Sequence, residues 1–162
     1  MTVTNSDLTT DGENDPNAIE LLSNSSMTVT DSKITANGYG GAGIFIGTDD
    51  GGSSDNVPAR LKVDGTTIIS ADAFGITGNG TQHGTYIEIT DNAVITCTNF
   101  AVYHPQKGEL KISGNAKITG ASGIEMRAGT LIVTGTPTVT ATDETYDESP
   151  LNDGPRFAGV AL

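Results

Sequence analysis

The chain has 162 residues and a formal charge of −12 at pH 7, from 8 Lys and Arg against 20 Asp and Glu. A length of that order makes one domain, and a carboxylate surplus that repels phosphate excludes nucleic acid and acidic membranes as partners. Gly at 21 residues with charged residues at only 17%, against roughly 25% in ordinary globular domains, excludes helical bundles and coiled coils.

The elements repeat from the first residue onward. The first unit opens with MTVTNSDLT at Met1 and closes with AIEL at Ala18; the second opens with MTVTDSKIT at Met27 and closes with GIFI at Gly43. LKVDGTTIIS at Leu61 and GITG at Gly75 form the third, and IEITDNAVIT at Ile87 and AVYH at Ala101 the fourth. LKISGNAKIT at Leu110 and GIEM at Gly123 form the fifth, and LIVTGTPTVT at Leu131 and GVAL at Gly159 the sixth. The starts are 26, 34, 26, 23 and 21 residues apart, so the order of motifs is constant while the connections vary. A constant order with variable connections is the signature of a solenoid.

Within each unit the apolar period is two, the pattern of a strand with one buried face. The first strand supplies the column Val3, Val29, Val63, Ile89, Ile112 and Val133. Asn, Asp, Ser and Gly then mark a turn. The second strand supplies Leu8, Ile34, Ile69, Ile95, Ile118 and Val139, each followed by Thr or Ser. The third carries a small residue and then a branched one, at Ala18-Ile19, Gly43-Ile44, Gly75-Ile76, Ala101-Val102, Gly123-Ile124 and Gly159-Val160. Three strands per unit, stacked at about 4.8 Å, give six rungs in a column about 29 Å tall.

This pattern resembles the right-handed parallel β-helix of the pectin-lyase-like superfamily, over essentially the whole chain. It is most like the non-catalytic repeat regions of bacterial surface proteins, adhesins and phage fibres. The resemblance implies an all-β fold of about six rungs in one domain, 1–162, cut from a longer repetitive protein. It also implies an extracellular place, on a cell or virion surface, and a structural or adhesive role, with a glycan or host-surface ligand. The same superfamily includes polysaccharide lyases and hydrolases, which are the competing class, and a tail or head fibre subunit that stacks end to end is a third.

Catalysis has little support in the residues. Inverting hydrolysis needs paired carboxylates with room for a water, and the nearest match to the family's polygalacturonases is Asp49-Asp50 with Gln82-His83-Gly84. Gln82 stands where the family has Gly, and the downstream Arg-Ile-Lys element is missing. A lyase needs a basic residue beside acidic calcium ligands, whereas the basic residues here are scattered. The expectation is no enzyme activity, with His83 and His104 as surface residues and Cys97 as filler in a column of small residues.

The acidic surplus is expected in three loops. These are Asp11 to Asp15, Thr48 to Asn56, and Thr142 to Glu148 with Asn152-Asp153. In the second, Asp49, Asp50 and Asp55 offer the oxygen ligands calcium takes, and they are the candidate metal ligands; no other cofactor is expected. Columns of hydroxyls, Thr4 to Thr134 and Thr9 to Thr140, are expected to bond from rung to rung. Tyr39, Tyr86, Tyr103 and Tyr146 are the candidates for stacking on sugars, with Tyr86 and Tyr103 at strand edges. A lone Cys97 excludes an intrachain disulfide, and no apolar run approaches the roughly 18 residues needed for membrane insertion. The first residues lack the basic and apolar regions of a leader. Met1 starts on a strand and Leu162 ends on one, so the expected partners also include neighbouring rungs of a parent protein or a second copy.

Overall fold

The computed structural model describes residues 1–22, 25–47, 58–81, 83–142 and 158–161. Among them there is no helix, and the strands fall into six rungs of three. The first rung is β1 (Thr2–Thr4), β2 (Asp7–Asn14) and β3 (Asn17–Leu22), and the second β4 (Ser26–Thr30), β5 (Lys33–Tyr39) and β6 (Ala42–Gly47). The third is β7 (Ala59–Asp64), β8 (Ile68–Ala71) and β9 (Phe74–Thr77), and the fourth β10 (Thr85–Ile89), β11 (Val94–Cys97) and β12 (Phe100–His104). The fifth is β13 (Gly108–Ile112), β14 (Lys117–Gly120) and β15 (Ser122–Met126), and the sixth β16 (Thr130–Val133), β17 (Thr138–Ala141) and β18 (Val160–Ala161).

Each strand pairs in parallel with its counterparts one rung away. Three six-stranded sheets result, ordered β1-β4-β7-β10-β13-β16, β2-β5-β8-β11-β14-β17 and β3-β6-β9-β12-β15-β18. This is a parallel β-helix of six three-stranded rungs. The three columns read from the repeats are in register throughout: Val3 through Val133 in the first sheet, Leu8 through Val139 in the second, and Ile19 through Val160 in the third. Because the side-chain period is two, a one-residue slip would turn every column into solvent. In the middle rungs Val29, Val63, Ile89, Ile112, Ile34, Ile69, Ile95, Ile118, Ile44, Ile76, Val102 and Ile124 are fully buried. Each is worth about 1.5–3 kcal/mol relative to exposure.

The small residue before the branched one in the third strand has a steric cause. A Cβ on Gly75 would overlap Ile95 Cγ2 and the Ala101 carbonyl, and one on Gly123 would meet Val139 Cγ1 and the Gly159 carbonyl. The second-strand aliphatic of the next rung occupies the space.

The first corner, between the first and second sheets, uses one device in every rung. Asn5, Asp31, Gly65, Asp91, Gly114 and Gly135 all take the left-handed conformation, with φ between 47° and 79°. Asn, Asp and Gly are the residues that enter this region most readily. Behind them Ser32, Thr67, Ala93 and Ala116 are buried, and their backbones bond upward, as in Ile68 N–H to Ser32 O at 2.8 Å and Val94 N–H to Thr67 O at 2.8 Å.

Part of the first expected acidic loop is strand. β2 runs to Asn14, because Asp11 and Asn14 pair with Asn37 and Tyr39 of β5 across a register shift, and Asn37 Nδ2 donates to Asp11 Oδ1 at 2.6 Å. The ladder to the second rung continues past the aliphatic column and takes the acidic residues with it.

Candidate functional site

The outer face of the first sheet carries the candidate site. Its inward residues, such as Leu61, Val63, Ile87 and Ile89, are core, so alternation turns Arg60, Lys62, Tyr86, Glu88, Glu109 and Lys111 to the outside. Register stacks them into two adjacent columns: Ser26, Arg60, Tyr86 and Glu109 in one, and Thr28, Lys62, Glu88 and Lys111 in the other. Together they line an open groove of about 260 Å³ across rungs two to five.

Its parts are fixed by mutual contacts. The Arg60 guanidinium carbon lies 4.3 Å from the Tyr86 ring centroid, a cation–π geometry. Lys111 pairs with Glu88 at 3.2 Å and Lys62 with Asp64 at 2.8 Å. Asp64 also accepts from Thr30 Oγ1 at 2.5 Å. Partial burial pushes the Asp64 carboxyl up, but the hydrogen bonds from Lys62 and Thr30 and the Lys62 charge together hold it below its ordinary value. The hydrogen bond to Asp64 raises Lys62; partial burial opposes it, and the charges of Asp64, Glu88 and Asp91 add to it. Both side chains therefore stay ionised at neutral pH, and the pair borders the groove as a fixed dipole. Chemically the groove offers an aromatic ring, a planar donor fork, and carboxylates able to accept from hydroxyls.

Asp49, Asp50 and Asp55 lie outside the described residues, as do Gln82, Tyr146 and the acidic residues from 143 to 153. Among the described residues no three His, Cys, Asp or Glu side chains are grouped to hold a metal. Cys97 is buried and stacks on Ala71. Burial pushes its thiol up, only partly offset by backbone hydrogen bonds from Asn99 and Gly75, which suits filler rather than a nucleophile. The hydroxyl column beside the first corner bonds between rungs, as in Ser113 Oγ to Thr90 Oγ1 at 2.9 Å.

Two expectations need correction. His104 is not a surface residue: it is fully buried, with Nε2 2.9 Å from Thr85 O and Nδ1 3.1 Å from Ala128 O. Alternation in β12 turns it inward, beside Met126 of β15, and it closes the third corner, where each rung passes to the next. The signal was in the repeat, because His104 is the fourth residue of the closing motif, the place of Leu21, Ile46 and Met126. Tyr86 and Tyr103, in turn, sit within β10 and β12 on their outer faces rather than at strand edges. Tyr103 lies 6.2 Å from Phe100, which stacks on Phe74 at 6.2 Å, and Tyr39 is 85% exposed.

Comparison of the chain with family models, with curated proteins and with solved structures gives no match.

Proposed function

We propose that this β-helix is a non-catalytic structural or adhesion module of an extracellular surface, akin to the pectin-lyase-like superfamily, and that it engages a glycan through the groove on its first sheet. The observation that carries this reading is the Arg60–Tyr86 stack, set in a polar groove on a sheet whose other face is continuous core. A rigid column holds side chains of successive rungs at fixed spacing, so a ligand meets a surface already in place and less ordering cost is incurred on binding. The ion pairs Lys111–Glu88 and Lys62–Asp64 support the same view, because they commit these groups to one another.

Binding of the intact chain to a panel of immobilised glycans tests it. Tyr86→Ser is expected to weaken binding by about tenfold or more, the loss of one stacking ring at a hot spot, with the thermal midpoint little changed. Binding insensitive to Tyr86, or cleavage of any bound glycan, overturns the reading.

A further inference from the structure

The groove is polarised along the column. At the end formed by rungs two and three, Arg60 and Lys62 stand side by side on β7, facing the hydroxyls of Ser26 and Thr28 across the ladder. Lys62 is held by Asp64, whereas Arg60 has no ion pair among the described residues. Its guanidinium is oriented by the Tyr86 ring, so its donor fork is fixed in place and open to solvent. Such a fork fits a carboxylate through two parallel hydrogen bonds. At the other end Glu88 and Glu109 flank Tyr86 on rungs four and five, and Lys111 is committed to Glu88. Carboxylates there accept from sugar hydroxyls and repel a second negative charge.

A uniformly charged chain suits one end and is repelled by the other. A wholly neutral chain leaves Arg60 without an acceptor. We propose that the groove is a site for a glycan bearing a single acidic group, with the carboxylate on Arg60 beside Ser26 and Thr28 and neutral sugars along Tyr86, Glu88 and Glu109. Three rung steps of about 4.8 Å span about 14 Å, room for a short oligosaccharide. This rests on the glycan reading above.

Calorimetry with the intact chain and four oligosaccharides of equal length tests it: neutral, carboxylated on one terminal sugar, sulfated on that sugar, and carboxylated on every sugar. The singly carboxylated ligand is expected to bind about tenfold more tightly than the neutral one, the effect of one charge-assisted contact, and more tightly than the other two. Arg60→Gln is expected to abolish the tenfold preference for the singly carboxylated ligand over the neutral one, and Arg60→Lys to restore only part of that preference, for want of the fork. Equal binding of neutral and singly carboxylated ligands overturns the proposal and leaves the glycan reading standing. Tightest binding by the fully carboxylated ligand overturns the acceptor end, tightest binding by the sulfated one overturns the choice of carboxylate, and an unaffected Arg60→Gln variant overturns the role of Arg60. Binding of none of the four overturns the proposal and the glycan reading together.

Discussion

The first and third corners close the same rungs by different physics. At the first, six stacked residues, Asn, Asp or Gly, turn the chain through one left-handed conformation, and Asp31 and Asp91 add hydrogen bonds from Thr66 and Gly65 of the third rung. The demand there is on the backbone. At the third, between the fourth and fifth rungs, a buried imidazole lies between Thr85 O and Ala128 O and donates to one of them. Gly108 leaves no room for a Cβ against Thr85, and Gly129 lies within 3.2 Å of His104 Cε1 when a Cβ is added. The demand there is on one side chain and its hydrogen bonds. A corner repeated by conformation tolerates exchange among a few residue types; at the third corner the place of His104 is filled by Leu21, Ile46 and Met126 in other rungs, so hydrogen bonding governs only the rung that carries the imidazole.

Both corners hang on the same aliphatic columns, so truncating a column is the largest expected effect. Ile112→Ala, at a fully buried position, is expected to cost about 2–5 kcal/mol in denaturant unfolding. A cost below about 1 kcal/mol would mean that the rung collapses around the gap.

At the third corner His104→Leu is the sharper variant. It keeps an apolar side chain of the kind found at Leu21, Ile46 and Met126, but removes the ring N–H donated to one of the two flanking carbonyls. It is expected to destabilise by about 1–3 kcal/mol, and urea unfolding that shows Leu neutral or stabilising would reduce the corner to packing.

At the first corner the comparison predicts a backbone effect. Gly114 has φ 67°, and a Cβ there would approach Asp91 N at 2.7 Å. Gly114→Ala is expected to cost about 1–2 kcal/mol, Gly114→Asn less, and Asp91→Gly about 0.5–1.5 kcal/mol, the loss of the Gly65 N–H to Asp91 Oδ2 bond. Thermal melts of the three variants read this order directly; an Asn variant as unstable as Ala would show that crowding, not conformation, governs the turn.

Beside the first corner the Asp64 cluster responds to pH. Its folded-state carboxyl is held below the ordinary value of 3.8, so its contribution is present above that value and is lost as pH falls through the lower folded one. Melting of wild type and Asp64→Asn from pH 6 to about pH 2 is expected to converge at the acid end, and a constant gap across the range would exclude this linkage.

The smallest effect belongs to the groove. Glu88→Gln breaks an ion pair whose partners are both more than a third exposed, and is expected to change stability by about 0–1 kcal/mol, less at high salt. Urea titrations at two salt concentrations measure it.

Much of the fold was legible in the repeats because stacking identical strands ties sequence period to spatial column. Val63, Ile89 and Ile112 share a place in their units, and parallel pairing puts them one above another. Asp31 and Gly114 were readable as turn residues for a similar reason, since few residue types enter the left-handed region. The acidic stretch from Asp11 to Asn14 read as a loop because nothing in its composition announces the extended ladder to Asn37 and Tyr39.

The sequence by itself determined the rungs, the three buried columns, the residues of the first corner and the role of Cys97, because each depends on alternation or on a residue's own conformational range. Only the tertiary structure decided that His104 lies between two carbonyls and that Arg60 lies over Tyr86. The partners in these contacts are 19 to 26 residues apart in the chain. They meet only when rungs stack in register, and the direction and reach of a long side chain across that ladder is set by its neighbours above and below rather than by its own segment.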